Sequence, residues 1–222
     1  MNHLFWHERW ASDRIGFHKS TVNSALTKHW HALAFSKKSR ILVPLCGKSL
    51  DLLWLYQQGY RVLGVDLSQK AILAFFAEND LTFTLQESGE HTQYIGTGAA
   101  EGIVLICGDI MTLSIEIAGV CDGLYDRAAM IALPPTMRTT YGSAVRKLLS
   151  RNARGLLLTV CYPENERNGP PFSVPAPTYG EGVQFECVET IDLLADPVSA
   201  QRYSVSEMSE KIYAVNFSEE ME

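Results

Sequence analysis

Residues 41–66, ILVPLCGKSLDLLWLYQQGYRVLGVD, read as a strand, a glycine turn, a helix and a second strand that ends in an acid. Both strand runs are continuously apolar rather than alternating, the mark of strands covered on two faces, as in a parallel sheet. Parallel neighbours need a crossover, and the stretch between them supplies one. The pattern continues along the chain. Strand-like runs fall at 40–45, 61–66, 103–107, 121–125 and 155–161, and helix-like stretches at 50–58, 69–79 and 137–149. Ser68 is placed to cap the second of these helices and Thr136 the third. Such a chain predicts a doubly wound α/β sheet with right-handed crossovers.

Three segments stand outside the alternation. The first ~35 residues carry three of the four tryptophans and a predicted helix over 24–33. Residues 82–102 are polar and glycine-rich, a hairpin or loop insertion. The Pro/Gly-rich stretch 165–182 is a loop by composition. It leads to strand-like runs at 184–191 and 210–217, expected to pair antiparallel at a sheet edge. No repeat or linker divides the 222 residues, so one domain is expected, and a chain of this length buries roughly 70% of its unfolded surface.

The turn at Gly47 brings helix N-terminal amides to a ligand, and glycine lets the backbone approach closely. Asp66, about twenty residues on, ends the neighbouring strand, where a carboxylate can accept from both ribose hydroxyls. The two groups meet at the switch point of an open α/β sheet. What is missing narrows the ligand. A dinucleotide turn needs GxGxxG, and only Gly47 is present. A P-loop needs GxxxxGK[ST]; Gly47, Lys48 and Ser49 supply its end, but Leu42 stands where its first glycine belongs. A nucleoside without phosphates, S-adenosylmethionine, needs one turn glycine and one ribose acid. The plain alternative is that Asp66 only caps the helix that follows.

Nineteen basic against twenty-five acidic residues give a formal charge of −6, which argues against nucleic acid or an anionic membrane as partner. No stretch approaches the ~18 apolar residues of a membrane span, and the N-terminus lacks the apolar core of a signal peptide. The five cysteines form no metal-binding spacing, and their apolar settings suggest reduced, packed thiols and a cytoplasmic protein. Only Cys46, in the glycine turn, leaves a reactive role open. No metal site is expected.

Five motifs, FWHERWASDRIGFH, VPLCGKSLDLLWL, GVDLS, YDRAAMIALPP and GPPFSV, occur in that order and run to about Val174. Together they resemble the thiopurine S-methyltransferases of the bacterial type. The resemblance implies a class I S-adenosylmethionine-dependent methyltransferase fold. Its seven-stranded, mostly parallel sheet would form a Rossmann-like core over 35–222, under an N-terminal lid over 1–34. It further implies a monomer that methylates the sulfur of aromatic and heterocyclic thiols, with selenium and tellurium compounds as further acceptors. Carried over by position, Trp10, Leu45, Gly47, Asp66, Asp109, Ile110 and Arg127 would bind the cofactor. Phe17, Pro170 and Pro171 would face the small-molecule thiol. Trp10 could stack on the cationic end of the cofactor, whereas Trp6 reads as core packing. Arg127, at a strand tip, is the candidate catalytic group, holding an anionic acceptor; the bland reading pairs it with Asp126 or another acid. His18 is either a base or a polar bystander. Two rivals stay open: a related halide or small-thiol methyltransferase, and a non-catalytic cofactor-binding protein. The chain also departs from the family's usual pattern, with Asp66 where glutamate is commoner, an insertion around 96–102, and a divergent stretch beyond Val174, where a helix usually follows GPPF.

Overall fold

The structure is a computed structural model that describes residues 3–195 and 203–217. Helices α1 (His3–Ala11) and α2 (Ser24–His29) precede β1 (Arg40–Pro44), α3 (Leu50–Gln57), β2 (Arg61–Asp66) and α4 (Gln69–Glu78). A hairpin of β3 (Thr82–Ser88) and β4 (His91–Thr97) follows, then β5 (Ile103–Cys107), α5 (Ile115–Ala118) and β6 (Cys121–Arg127). Helix α6 (Pro135–Lys147) and strands β7 (Leu149–Cys161), β8 (Gln184–Asp192) and β9 (Ser209–Asn216) complete the described chain.

The predicted strands all form, in one sheet of order β3-β4-β5-β2-β1-β6-β7-β9-β8. Strands β5, β2, β1, β6 and β7 run parallel. Strand β9 lies antiparallel between β7 and β8. The described sheet has nine strands, not seven, because the hairpin over 82–97 joins it antiparallel to β5. The hairpin's seven-residue pairing, Thr82↔Thr97 through Ser88↔His91, satisfies backbone groups that a loop would leave to water.

Adjacent residues of each central strand enter opposite cores. Leu42, Leu63, Leu124 and Leu157 pack on one face with Tyr141 and Val145 of α6. Ile41, Val43, Val62 and Leu105 pack on the other with Leu52, Leu55, Phe75 and Phe76 of α3 and α4. Two-sided burial is why these strands read as unbroken apolar runs.

Some local expectations shift. Ser68 caps α4 as predicted, its Oγ accepting from Ala71 N–H at 3.2 Å. Thr136 does not cap α6. That helix begins at Pro135, with Pro134 as its cap and no side-chain bond, since proline's fixed φ suits the first turn and has no N–H to satisfy. The helix expected over 24–33 breaks after His29 into a 3-10 turn, Trp30–Leu33. Trp30 is fully buried, stacked on Phe35 at 5.1 Å. Of the cysteines, Cys187 is exposed on β8, so packing of all five thiols does not hold. No helix follows the GPPF motif; Tyr179 instead turns into the core, and its hydroxyl donates to Asp126 at 2.6 Å.

Candidate active site

The chain runs β1, β2, β5 toward one edge and β6, β7 toward the other, which puts the switch point between β1 and β6. The C-terminal ends of β1, β2, β5 and β6 carry Leu45, Asp66, Asp109 and Arg127 to this crevice. Two clefts meet there at Leu45. One is bordered by Trp10, Phe17, His18, Lys48, Asp51, Tyr125 and Arg127. The other is bordered by Asp66, Asp109, Ile110, Met111 and Leu133.

The second cleft has the chemistry of a nucleoside pocket. Asp66 is buried, and its carboxylate accepts from Gly47 N–H at 2.7 Å and from Ser68 N–H at 2.8 Å. Asp66 does not cap α4, whose cap is Ser68; one of its oxygens accepts from that cap residue's N–H, and the other ties β2 to the glycine turn. Burial pushes the Asp66 carboxyl up to about 6, against the pull of those two amide bonds and of His7. Each oxygen retains lone-pair capacity for a hydroxyl donor. Asp109 accepts from Met111 N–H at 2.9 Å and faces His3 of α1 at 3.0 Å. Ile110 is buried beside it.

The turn itself is shaped for close approach. Leu45 and Gly47 take φ of 48° and 53°. A Cβ on Gly47 would stand 3.0 Å from the Trp10 ring. Trp10 is 5% exposed, and both Trp6 and Trp10 meet Phe17 edge-on, at 5.7 and 5.5 Å. Trp6 thus packs on the site's aromatic as well as on its own helix. Ser49 caps α3 through Asp51 N–H, and Lys48 pairs with Glu78 at 2.6 Å, so the GKS triplet serves the turn and not a phosphate. Burial, and next the charge of Asp66, raise the Cys46 thiol well above its usual range, which makes it a packing group rather than a nucleophile.

In the first cleft Arg127 donates to Phe17 O at 3.3 Å and stands 3.8 Å from Asp51. Asp126, its sequence neighbour, points into the core and accepts from Tyr141, Tyr179 and Met130 N–H. His18 lies beside it, its pKa lowered by burial and then by Lys48. Pro170 and Pro171 border neither cleft. Their segment is pinned to the end of β7 by Tyr162 OH to Pro171 O and to the 3-10 turn Met130–Ala132 by Phe172 N–H to Ile131 O. Sequence reasoning missed Asp51, Tyr125 and Glu210. Asp51 left a trace as the one charge in an otherwise apolar first turn. Glu210, raised mainly by burial with Arg127 and Lys19 opposing, left none because its strand reaches the site from the far end of the chain.

Among the described residues no cluster of metal-ligating side chains occurs, and no helix is long and apolar enough to cross a membrane. In fold the chain is similar to a Burkholderia thailandensis 1,6-didemethyltoxoflavin-N1-methyltransferase solved with S-adenosylhomocysteine. The TM-score is 0.57 at 15% identity, covering 96% of this chain and 86% of that one. It is also similar to TehB from Haemophilus influenzae, with TM-score 0.58, 14% identity and coverage of 96% and 67%. Its sequence is 42% identical to a thiopurine S-methyltransferase of Pseudomonas entomophila (strain L48) over 96% of this chain and 98% of the relative. It is 47% identical to one of Bordetella petrii over 78% of each chain. The family profile for Thiopurine S-methyltransferase (TPMT) matches residues 1–218, and this chain belongs to that family.

Proposed function

We propose that this protein transfers a methyl group from S-adenosylmethionine to the sulfur of aromatic and heterocyclic thiols, thiopurines included, and that selenium and tellurium compounds are further acceptors. The observation that carries this reading is the pair of clefts joined at Leu45, one holding the buried acid Asp66, the other a guanidinium beside the aromatic wall of Phe17. The residues fit the cofactor. Asp66 receives the ribose hydroxyls, Asp109 and Ile110 border the adenine, Gly47 admits close approach, and Trp10 faces the cationic end.

Bound S-adenosylmethionine supplies an electrophilic methyl on a sulfonium. The protein's work is positional. Phe17 stacks the acceptor ring, Arg127 holds its anionic form, and the aromatics of α1 keep water out. Holding two reactants in attack geometry is credited with up to about 7–11 kcal/mol in intramolecular systems. Among the N-terminal residues we assign the lid to α1 and the loop through Phe17, since Leu26, Trp30 and Leu33 belong to the core. The protein acts as one domain, a cytoplasmic monomer with a small-molecule thiol as partner. Pro170 and Pro171 belong to the acceptor side through the segment they brace.

Purified protein assayed with labelled S-adenosylmethionine against thiophenol, a thiopurine, iodide, hydrosulfide and selenite tests the reading. Turnover of the aromatic thiols at least about tenfold above the others supports it. Preference for iodide or hydrosulfide favours the halide and small-thiol class, and cofactor binding without any methylation makes the chain a binding protein.

A further inference from the structure

Asp51 sits in the first turn of α3, 1% exposed, at the border of the cleft that Phe17 and Arg127 line. A carboxylate this buried has to be satisfied by donors. One oxygen accepts from Asn23 N–H at 2.8 Å, and the other from Tyr125 OH at 3.0 Å. That second oxygen also faces Arg127 Nη1 at 3.8 Å. This is too long for a hydrogen bond but close enough for charge attraction. Arg127 is held at its other amino group by Phe17 O. Its guanidinium is thus clamped between the segment that carries the aromatic wall and the helix that follows the glycine turn. The attraction fixes its position without drawing its Nη1 hydrogens into a bond.

We propose that Asp51 is the positioning residue for Arg127, holding the guanidinium where it receives an anionic acceptor and registering it against Asn23 at the start of α2. Asn23 in turn caps α2, its Oδ1 accepting from Ala25 N–H and Leu26 N–H, so the register extends into the core. Tyr125 keeps its proton, raised by burial and by Asp51, and remains the donor that fixes the carboxylate's rotamer. The inference rests on Arg127 being the acceptor's anchor.

A double-mutant cycle on the full-length protein tests it. Asp51→Asn keeps an acceptor for Asn23 N–H and removes the charge. The expected result is a loss of about tenfold or more in kcat for thiophenol, with cofactor Kd within about threefold of the parent. Asp51→Glu, which keeps the charge, should recover more activity than Asp51→Asn. In an Arg127→Gln background, Asp51→Asn should change kcat/KM by less than about threefold. Full multiplicative losses in that background would show that Asp51 does not act through Arg127 and overturn the proposal. Arg127→Gln alone leaving kcat/KM within about threefold would instead remove the anchor reading itself. Should Asp51→Asn not fold, Tyr125→Phe deletes only the hydroxyl that orients Asp51. It should lower kcat in the same direction and lose that effect in the Arg127→Gln background; equal effects in both backgrounds would refute the proposal.

Discussion

The Gly47 amide donates to the Asp66 carboxylate across 2.7 Å, joining the turn after β1 to the end of β2. The bond makes one rigid unit of the two motif residues that define the pocket. Removing the acid therefore has two effects. Asp66→Ala deletes the charged acceptor for ribose, at a cost on the order of 2–4 kcal/mol of cofactor affinity. It also strands two buried amides, which lowers the melting temperature of the cofactor-free protein. Calorimetric titration of the folded variant measures the first effect; agreement with the parent within about threefold would mean that Asp66 is not the ribose anchor.

The Asp66 carboxyl, ordinarily at 3.8, is pushed by burial to about 6. Its folded-state value lies above its unfolded one, so the fold prefers the protonated acid. Stability contributed by this group is gained as pH falls through about 6 toward 4 and is absent above 6, a difference of about 3 kcal/mol. Cofactor binding runs the other way, because the charged form is the better acceptor. At pH 6 the acid is half neutral and at pH 5 about nine-tenths neutral. Kd should accordingly rise about twofold and about tenfold over its value at pH 8. Asp66→Asn isolates this from other titrating groups. Its Kd should be weak and nearly flat with pH, and a parallel tenfold rise in that variant would assign the dependence elsewhere.

Much of this site was legible before the fold was known, and the reason is local. Gly47 and Asp66 sit within one βαβ unit, where strand and helix periodicity place them without long-range information. Arg127 ends a recognisable strand, whereas Asp109 came from the family resemblance alone. Asp51, Tyr125 and Glu210 were not legible, since their roles come from pairings between distant segments, such as Asp51 with Asn23 across 28 positions. The 82–102 stretch reads as a hairpin or a loop insertion, and the sequence leaves its joining the sheet unresolved for a different reason. Strand β3 at the sheet's edge is largely exposed and β4 is polar at most positions, so the hairpin lacks the continuous apolar signature of the buried strands it joins. Trp30, counted with the lid aromatics by position, proved to be core because a chain entering the sheet's flank buries its next turn at once.

The lid assignment separates two parts of the N-terminal region. Helix α1 is tied to the rest by Lys70, which reaches Trp10 O and Asp13, and by His3 on Asp109, all partly exposed contacts. Residues around Leu26 and Trp30 are buried. Amide exchange with and without S-adenosylhomocysteine should show protection rising about tenfold or more over α1 through His18, and unchanged at Leu26 and Trp30. Equal, high protection of α1 in both states would make it fixed structure.

The Gly47–Trp10 contact offers a narrower probe of the same closure. A methyl group at residue 47 meets the Trp10 ring at 3.0 Å in a backbone conformation that disfavours side chains. Gly47→Ala should lower folding stability by about 1–2 kcal/mol through backbone strain, and should weaken cofactor binding as Trp10 is displaced. Adding Trp10→Phe to relieve the contact should restore part of that loss. No restoration would place the damage in the turn and not in the packing of the lid.

The chemistry itself can proceed without a protein base. Aromatic and heterocyclic thiols ionise more readily than aliphatic ones, so much of the acceptor arrives as thiolate and needs a cation to hold it, the role assigned to Arg127. His18 borders the cleft, but burial and next the charge of Lys48 lower its pKa, which makes it a weaker proton acceptor than a free imidazole. His18→Ala should keep kcat within about tenfold of the parent, far from the ~10²–10⁴ that loss of a general base removes. With three substituted thiophenols of different acidity, the pH at which kcat/KM rises should follow each thiol's own ionisation in both proteins. An inflection common to all three substrates, abolished in His18→Ala together with most of the activity, would make His18 the base and remove the argument for thiolate capture.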